Sequence, residues 1–301
     1  MPKLIVILCS FMFLFAMKAK EPRKYVKPDW QKYKLRGAVK SVRETAYDLT
    51  CDTCAVMSKG KISQHWEGLN SYYEFNPYGV LLLEEKFNHQ KQITERKKIL
   101  LDAAHVPFVK IHSVFLNGKP VRQDSAFLSY SALGNLLLVQ SKLPNGKRKD
   151  LEVYRYDDKG RLMFRKDALL ECNYGRYDSL VTEMCLSSGK PYSTAEYHAN
   201  GTLKFRMEYS PEGAVITKRY TSGTSSLDST FAPDGRLSGV RMTRYNTQGD
   251  LEFESFNGGS VESFFKHEYR YTYDKKGNWI SMLVLFNKRG KYLIERKINY
   301  Y

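Results

Sequence analysis

The heptad Tyr273-Asp274-Lys275-Lys276-Gly277-Asn278-Trp279 is one copy of a frame that recurs along the chain. The frame is an aromatic, a small or turn-forming residue, two free positions, Gly, one free position, then a hydrophobic residue. It fits Phe75–Leu81, Tyr130–Leu136, Tyr156–Leu162, Tyr197–Leu203, Tyr209–Val215, Phe231–Leu237, Tyr245–Leu251, Tyr273–Trp279 and Phe286–Tyr292, nine copies in all. Phe87–Ile93 is a degenerate copy with Lys91 in the glycine slot.

Each residue of the frame has a physical reason to be there. The Asp274 side chain accepts from the backbone two residues on, which favours turn entry. Lys275 and Lys276 suit the two central positions of a type I turn. Gly277 then supplies a positive φ, closing a three-residue hairpin loop with a bulge. Pro77, Pro211 and Pro233 take the first central position, where a fixed φ is suited. The expected repeat turns are thus at Gly79, Gly134, Gly160, Gly201, Gly213, Gly235, Gly249, Gly277 and Gly290. In this geometry Tyr273 faces Trp279 across the hairpin. Aromatic pairs of this kind contribute roughly 0.2–1 kcal/mol each.

Working outward, the chain has 301 residues, of which 42% are hydrophobic, enough for a core. Its 22 Tyr and 16 Phe favour strands. Leu35–Tyr47 reads as the first strand and Asp48–Lys61 as irregular. Gln92–Ala104 has a helical composition but sits in the array as a strand. Asn117-Gly118, Asn145-Gly146 and Asn257-Gly258 signal two-residue turns. Ala168–Pro191 is less regular. Tyr269, Tyr271 and Tyr273 alternate with Arg270, Thr272 and Asp274, so one face is aromatic and the other polar. Trp279–Phe286 is apolar on both faces, which predicts a central strand. The expected fold is all-β: a long antiparallel meander of hairpins, curled into a spiral or barrel-like sheet, because open twisted sheets this large must curl, split or flatten.

Residues 1–19 read as a secretion signal, with Lys3 ahead of an apolar run of 14 residues, Leu4–Met17. Residues 20–34, basic and carrying Pro22 and Pro28, read as a linker, and residues 35–301 as one β-sheet domain. The protein is therefore expected to be exported, periplasmic or at the cell surface. Membrane attachment would come only through an uncleaved signal segment. Four cysteines follow the signal. Cys172 and Cys185 flank a candidate hairpin turning near Asp178-Ser179, so a cross-strand disulfide fits an oxidising compartment. Cys51 and Cys54 have redox-motif spacing without a βαβ context, and fit a local disulfide or free thiols.

The formal charge is +16, falling to +14 once Lys3 and Lys18 leave with the signal. That balance predicts attraction to anionic partners, and export argues against nucleic acid. The six histidines form no metal or triad spacing. Glu84-Glu85 and Asp157-Asp158 are adjacent, and neighbours on a strand point to opposite faces. Every repeated Gly precedes a strand, so no phosphate-binding loop is formed. No enzyme activity, cofactor or metal is expected. The expected partner is an envelope glycan or a protein.

Tyr156-Asp157-Asp158-Lys159-Gly160-Arg161-Leu162 matches the core motif of YD-repeat (Rhs-type) proteins in full, and Tyr273–Trp279 nearly so. The chain resembles that family over roughly Phe75–Tyr292, as a small member without a C-terminal toxin domain. The resemblance implies a spiralling β-sheet shell at the bacterial cell surface, with carbohydrate binding or toxin packaging. Tyr197–Val215 also resembles the MORN-variant repeats of antitoxin-like proteins, which implies a protein-interaction or immunity role.

Overall fold

The computed structural model describes residues 28–51, 57–65, 69–143, 145–177, 180–258, 263–287 and 289–301. The signal segment, the first part of the linker, Cys54 and the turn expected near Asp178-Ser179 lie outside the described residues. Strands account for most of the rest. The chain opens with β1 (Val39–Cys51), β2 (Met57–Ile62), β3 (Ser71–Phe75), β4 (Leu81–Phe87) and β5 (Ile93–Leu101). Next come β6 (Pro107–Leu116), β7 (Lys119–Tyr130), β8 (Leu136–Lys142), β9 (Arg148–Tyr156), β10 (Leu162–Lys166) and β11 (Glu171–Tyr177). These are followed by β12 (Leu180–Ser187), β13 (Lys190–His198), β14 (Leu203–Tyr209), β15 (Val215–Ser222) and β16 (Ser225–Phe231). The chain ends with β17 (Leu237–Tyr245), β18 (Leu251–Asn257), β19 (Phe264–Tyr273), β20 (Trp279–Phe286) and β21 (Arg289–Tyr300).

From β3 to β21 each strand pairs antiparallel with the next. β1 then closes the ring, pairing with β21 along Val39–Asp48 on one edge and with β3 at Ser41–Glu44 on the other. The result is a closed antiparallel barrel of 20 strands. Closure leaves no long free edge, which is what a meander of this length requires. β2 stands outside the ring, paired to the far end of β1 from Tyr47 to Cys51.

The repeat frame forms as its chemistry dictates. At Tyr273–Trp279 the Asp274 N–H donates to the Asn278 carbonyl at 2.9 Å, and the Gly277 N–H donates to the Asp274 carbonyl at 3.0 Å. Asp274 Oδ1 also accepts from the N–H groups of Lys276 and Asn278. Tyr273 and Trp279 are register partners. Eight of the nine expected glycines sit at φ between +72° and +90°. Lys91 takes the same turn at φ +63°, and so does His105 at φ +58° in a further copy, Leu101–Pro107. There Asp102 accepts from the N–H groups of Ala104 and Val106.

Gly290 is the exception. It lies inside β21 opposite Leu285, and its φ is not positive. The turn before it is the shorter one between Phe286 and Arg289, with Asn287 at φ +48°. Gly290 has a packing reason instead: a Cβ there would run into Met57 Sδ and stand 3.1 Å from a Leu49 methyl. Three further readings change. Asn145-Gly146 makes the longer turn, since Lys142 pairs with Arg148. Asn257-Gly258 does not make a two-residue turn, because Asn257 pairs with Phe264. Asp48–Lys61 is not wholly irregular: β1 runs on to Cys51, and Met57–Ile62 returns alongside it. Asn117-Gly118 does form a two-residue turn, with both residues at positive φ.

The core is concentrated at the seam. Leu35, Val39, Val42, Phe75 and Leu81 form one buried cluster; Ala46, Val284, Tyr292 and Ile294 form another. A register shift between Val39 and Ser41 brings Val39 into the same cluster as Val42 despite their odd spacing. β20 is buried on both sides, with Val284 0% and Leu285 3% exposed. Cys172 and Cys185 are register partners across β11 and β12 and are joined by a disulfide, their Cα atoms 4.0 Å apart.

Candidate functional site

The stretch from Pro28 to Ala38, half of it read as linker, identifies the inner wall of the barrel. It holds a 3-10 turn at Asp29–Gln31. The Asp29 N–H donates to the Gly79 carbonyl at 2.9 Å, and its Oδ2 accepts from the Leu81 N–H at 2.8 Å. The Trp30 indole donates to the Val39 carbonyl, while Lys34 Nζ donates to the Gly249 carbonyl at 2.6 Å. The segment thus touches strands on both flanks of β1, from β18 round to β4. So short a segment meets both flanks of a closed ring only from the concave side. It bridges one mouth of the barrel, and the face that carries Tyr73, Val42 and Ile298 beneath it is the inner one.

With that face fixed, the alternation of side chains sorts the charges. On the inner wall, carboxylates and cations pair between nearby strands. Arg296 binds Glu44 at 2.7 Å, both about nine-tenths buried, with the guanidinium 3.4 Å from the Trp279 ring centroid. Lys97 binds Glu84 at 3.1 Å, Arg206 binds Glu183 at 2.8 Å and Arg219 binds Asp228 at 2.6 Å. Tyr174 and Tyr197 lie beside Glu183, and burial followed by that carboxylate pushes both phenols up. Glu84 and Glu85 do face opposite ways: Glu85 binds Arg96 on the outside, at 2.7 Å.

The outer wall is a mix of cations and aromatics. Arg43 stands over Tyr72 and Phe87, Arg96 over Phe115, Lys218 over Phe231 and Arg244 over Phe253, all within 6 Å of the ring centroid. Such contacts contribute about 0.5–1 kcal/mol each at exposed sites.

Against the inner wall, under the N-terminal turn, lies a cavity of about 680 Å³. Lys32, Lys97, Lys110, His112 and Arg122 line it, with Asp29, Asp124 and Glu152. Most of these charges are spoken for. Arg122 binds Asp124 at 2.7 Å, Lys97 has Glu84, Asp29 caps β4 and Glu152 accepts from the Tyr154 hydroxyl. Among the described residues no carboxylate lies within ion-pair distance of Lys32 or Lys110. His112 Nε2 is buried without a hydrogen bond, its approach to Glu95 being 4.0 Å. Burial, then Lys97 and Lys32, holds the Lys110 ammonium below the usual lysine range. Burial and the nearby Asp29 push the Tyr130 phenol on the cavity wall up to about 12.

Eight of the nine repeat-frame glycines, expected as structural residues, lie in turns at the barrel rims and Gly290 lies inside β21; neither they nor Cys172 and Cys185 line this cavity. The cavity cations come from the N-terminal turn, β5, β6 and β7, with no motif joining them. In sequence Lys97 belongs to the basic run Arg96-Lys97-Lys98, of which it alone faces inward. Among the described residues no group of His, Cys, Asp and Glu is arranged to hold a metal.

No family model matches this chain, and no curated protein does. The resemblance to YD repeats therefore rests on the heptads themselves. Among solved structures, a porin-like protein from Bacteroides uniformis aligns over 93% of this chain and 100% of its own at 9% identity, with a TM-score of 0.32. A second, from Bacteroides vulgatus, aligns over 87% and 98% at 8% identity, with a TM-score of 0.29. The Tc holotoxin pore of Photorhabdus luminescens aligns over 74% of this chain and 19% of its own at 10% identity, with a TM-score of 0.17.

Proposed function

We propose that this protein is an exported, non-enzymatic barrel working in water as a binding module or scaffold of the cell envelope, with an acidic polysaccharide as its ligand. The outer wall carries this reading. Arg43, Arg96 and Arg270 stand there in mid-strand, next to the inward Val42, Lys97 and Tyr271. A lipid-facing Arg or Lys near a bilayer midplane costs about 2–4 kcal/mol. A ring of them makes a wall for water, and the segment across one mouth argues against an open channel. Glu44, Glu84, Glu183 and Asp228 on the inner wall are held in ion pairs with Arg or Lys, which supports binding over acid–base catalysis. The excess of 48 basic over 32 acidic residues favours a polyanion. The heptads' resemblance to YD repeats points the same way, toward a surface glycan.

The test is affinity for acidic and neutral polysaccharides across a salt series, run beside flotation with vesicles. The expected result is binding to the acidic polymer that falls steeply as salt rises, since exposed charges are screened beyond roughly 8–10 Å at physiological ionic strength. The protein should stay in the aqueous fraction. Salt-insensitive binding to a neutral glycan would overturn the polyanion reading. Absence of binding to either would turn the case toward a protein partner.

A further inference from the structure

We infer that the cavity under the N-terminal turn is a discrete site for a carboxylate-bearing sugar, held by Lys32, Lys110 and His112. This rests on the polyanion reading above and deepens it, by placing the ligand inside the barrel instead of spread over its surface.

The inference comes from what the inner wall leaves unpaired. Several cations elsewhere on that wall meet carboxylates: Arg296 with Glu44, Lys97 with Glu84, Arg206 with Glu183, Arg219 with Asp228. Lys32 and Lys110 depart from that pattern. They face the same cavity without a carboxylate in reach among the described residues, and His112 Nε2, 4.0 Å from Glu95, adds a buried ring nitrogen without a hydrogen bond. Like charges crowded together cost free energy, and an anion set between them removes that cost. Burial and repulsion by Lys97 and Lys32 already hold Lys110 below its ordinary range, which is the same crowding seen from the proton's side.

Size and lining fix the class of ligand. A volume of about 680 Å³ falls in the usual range of roughly 300–1,000 Å³ for small-molecule sites. That is far more than a bare inorganic anion fills. Leu128, Leu136 and Leu151 supply an apolar wall, with the Tyr130 ring beside them. Apolar wall on one side and donors on the other suit a sugar ring with an acid group. Asp29, Asp124 and Glu152 also line the cavity, and each already accepts a hydrogen bond or ion pair from protein. They would reject a ligand carrying more than one closely spaced charge.

The probe is a short oligogalacturonate, with its fully methyl-esterified form as the uncharged counterpart. Wild-type protein should bind the acid and not the ester. The double variant Lys32→Gln/Lys110→Gln should bind the acid about 10- to 100-fold more weakly, the loss of two charge-assisted hydrogen bonds. The matched control Lys159→Gln/Lys275→Gln removes the same formal charge from two exposed turns and should change affinity less than about two-fold. Equal binding by the Lys32/Lys110 variant and wild type would overturn the site while leaving the polyanion reading intact. Failure of wild type to bind any acidic glycan would overturn both. Equal binding of acid and ester would overturn carboxylate recognition. A measurement on unaltered protein covers the case in which the double variant does not fold: acetic anhydride labelling read by peptide mass spectrometry. The oligomer should protect Lys32 and Lys110 and leave Lys159 and Lys275 unchanged; uniform protection would sink the proposal.

Discussion

Asn278 clasps Arg36 by its backbone at both ends. Asn278 Oδ1 accepts from the Arg36 N–H at 2.7 Å, and Asn278 Nδ2 donates to the Arg36 carbonyl at 2.8 Å. The same nitrogen donates to the Tyr300 hydroxyl at 2.7 Å, and Asn278 is 1% exposed. One side chain therefore ties the N-terminal segment, the β19–β20 turn and the last strand together.

Asn278→Ala is expected to leave buried groups without partners and to destabilise the protein by about 1–3 kcal/mol. The effect should also be local. Limited proteolysis should cut the segment from Pro28 to Ala38 faster in the variant, with the strand signal in far-ultraviolet circular dichroism preserved. A variant with an unchanged melting temperature and unchanged cleavage would show that this clasp does not hold the segment.

Gly277→Val should cost about 1–3 kcal/mol, because a β-branched residue is strained at φ +80°. Its Cβ would also stand 2.9 Å from Arg36 Nη1. Gly213→Val shares the backbone strain at φ +90° but meets nothing within 4 Å. Thermal melts should rank Gly277→Val below Gly213→Val, and both below wild type. Equal melting temperatures for all three would refute the turn assignment.

Reducing the Cys172–Cys185 bond should destabilise the native state, by about 3 kcal/mol if the closed loop of 13 residues behaves as chain entropy predicts. Non-reduced peptide mass spectrometry should recover the two cysteines linked, and reductant should lower the melting temperature. Free thiols at both positions in exported protein would exclude the bond.

Acid should loosen the clasped mouth. Partial burial raises the Asp274 carboxyl, but hydrogen bonds from the Tyr300 hydroxyl and from the N–H groups of Asn278 and Lys276 outweigh it, so the group is lowered from 3.8. A carboxyl lowered on folding contributes stability that is full above its unfolded value and is lost as pH falls through its folded one. Melting temperature should therefore drop below about pH 4. Asp274→Asn should be less stable than wild type at pH 6, and the gap should narrow toward pH 2. A gap that stays constant with pH would refute the assignment.

Turn chemistry is local, and it was legible residue by residue. An Asp or Asn, two residues that tolerate a type I turn and a Gly at positive φ specify a hairpin within seven positions, and the repeat spacing then implies a meander. Where a non-glycine takes the positive φ the signal weakens: Lys91 was found by its flanking aromatic, while His105, flanked by Leu101, was not. Gly290 misled because the frame alone cannot tell a glycine needed for φ from one needed to admit Met57.

Inside and outside were decided only by the tertiary structure. In the Tyr273 hairpin Thr272 pairs with Ser281 and Tyr273 with Trp279, leaving Ile280 as an unpaired bulge. The same step leaves out Leu82 in the first hairpin and Leu137 in the Tyr130 hairpin. Each bulge inverts the alternation along its strand and adds curvature. So Phe75 packs on the inner cluster, while Phe87, one turn later in an equivalent slot, lies on the outside under Arg43. Closure depends on β1 meeting β21 across almost the whole chain, and no local pattern encodes that pairing. The cavity depends on it too. Lys32, Lys110 and His112 have unremarkable neighbours in sequence. Only when the ring closes, with the N-terminal turn drawn across its mouth by Asn278, a residue in one of the frame's free positions, do the two lysines become a shared excess of positive charge beside His112.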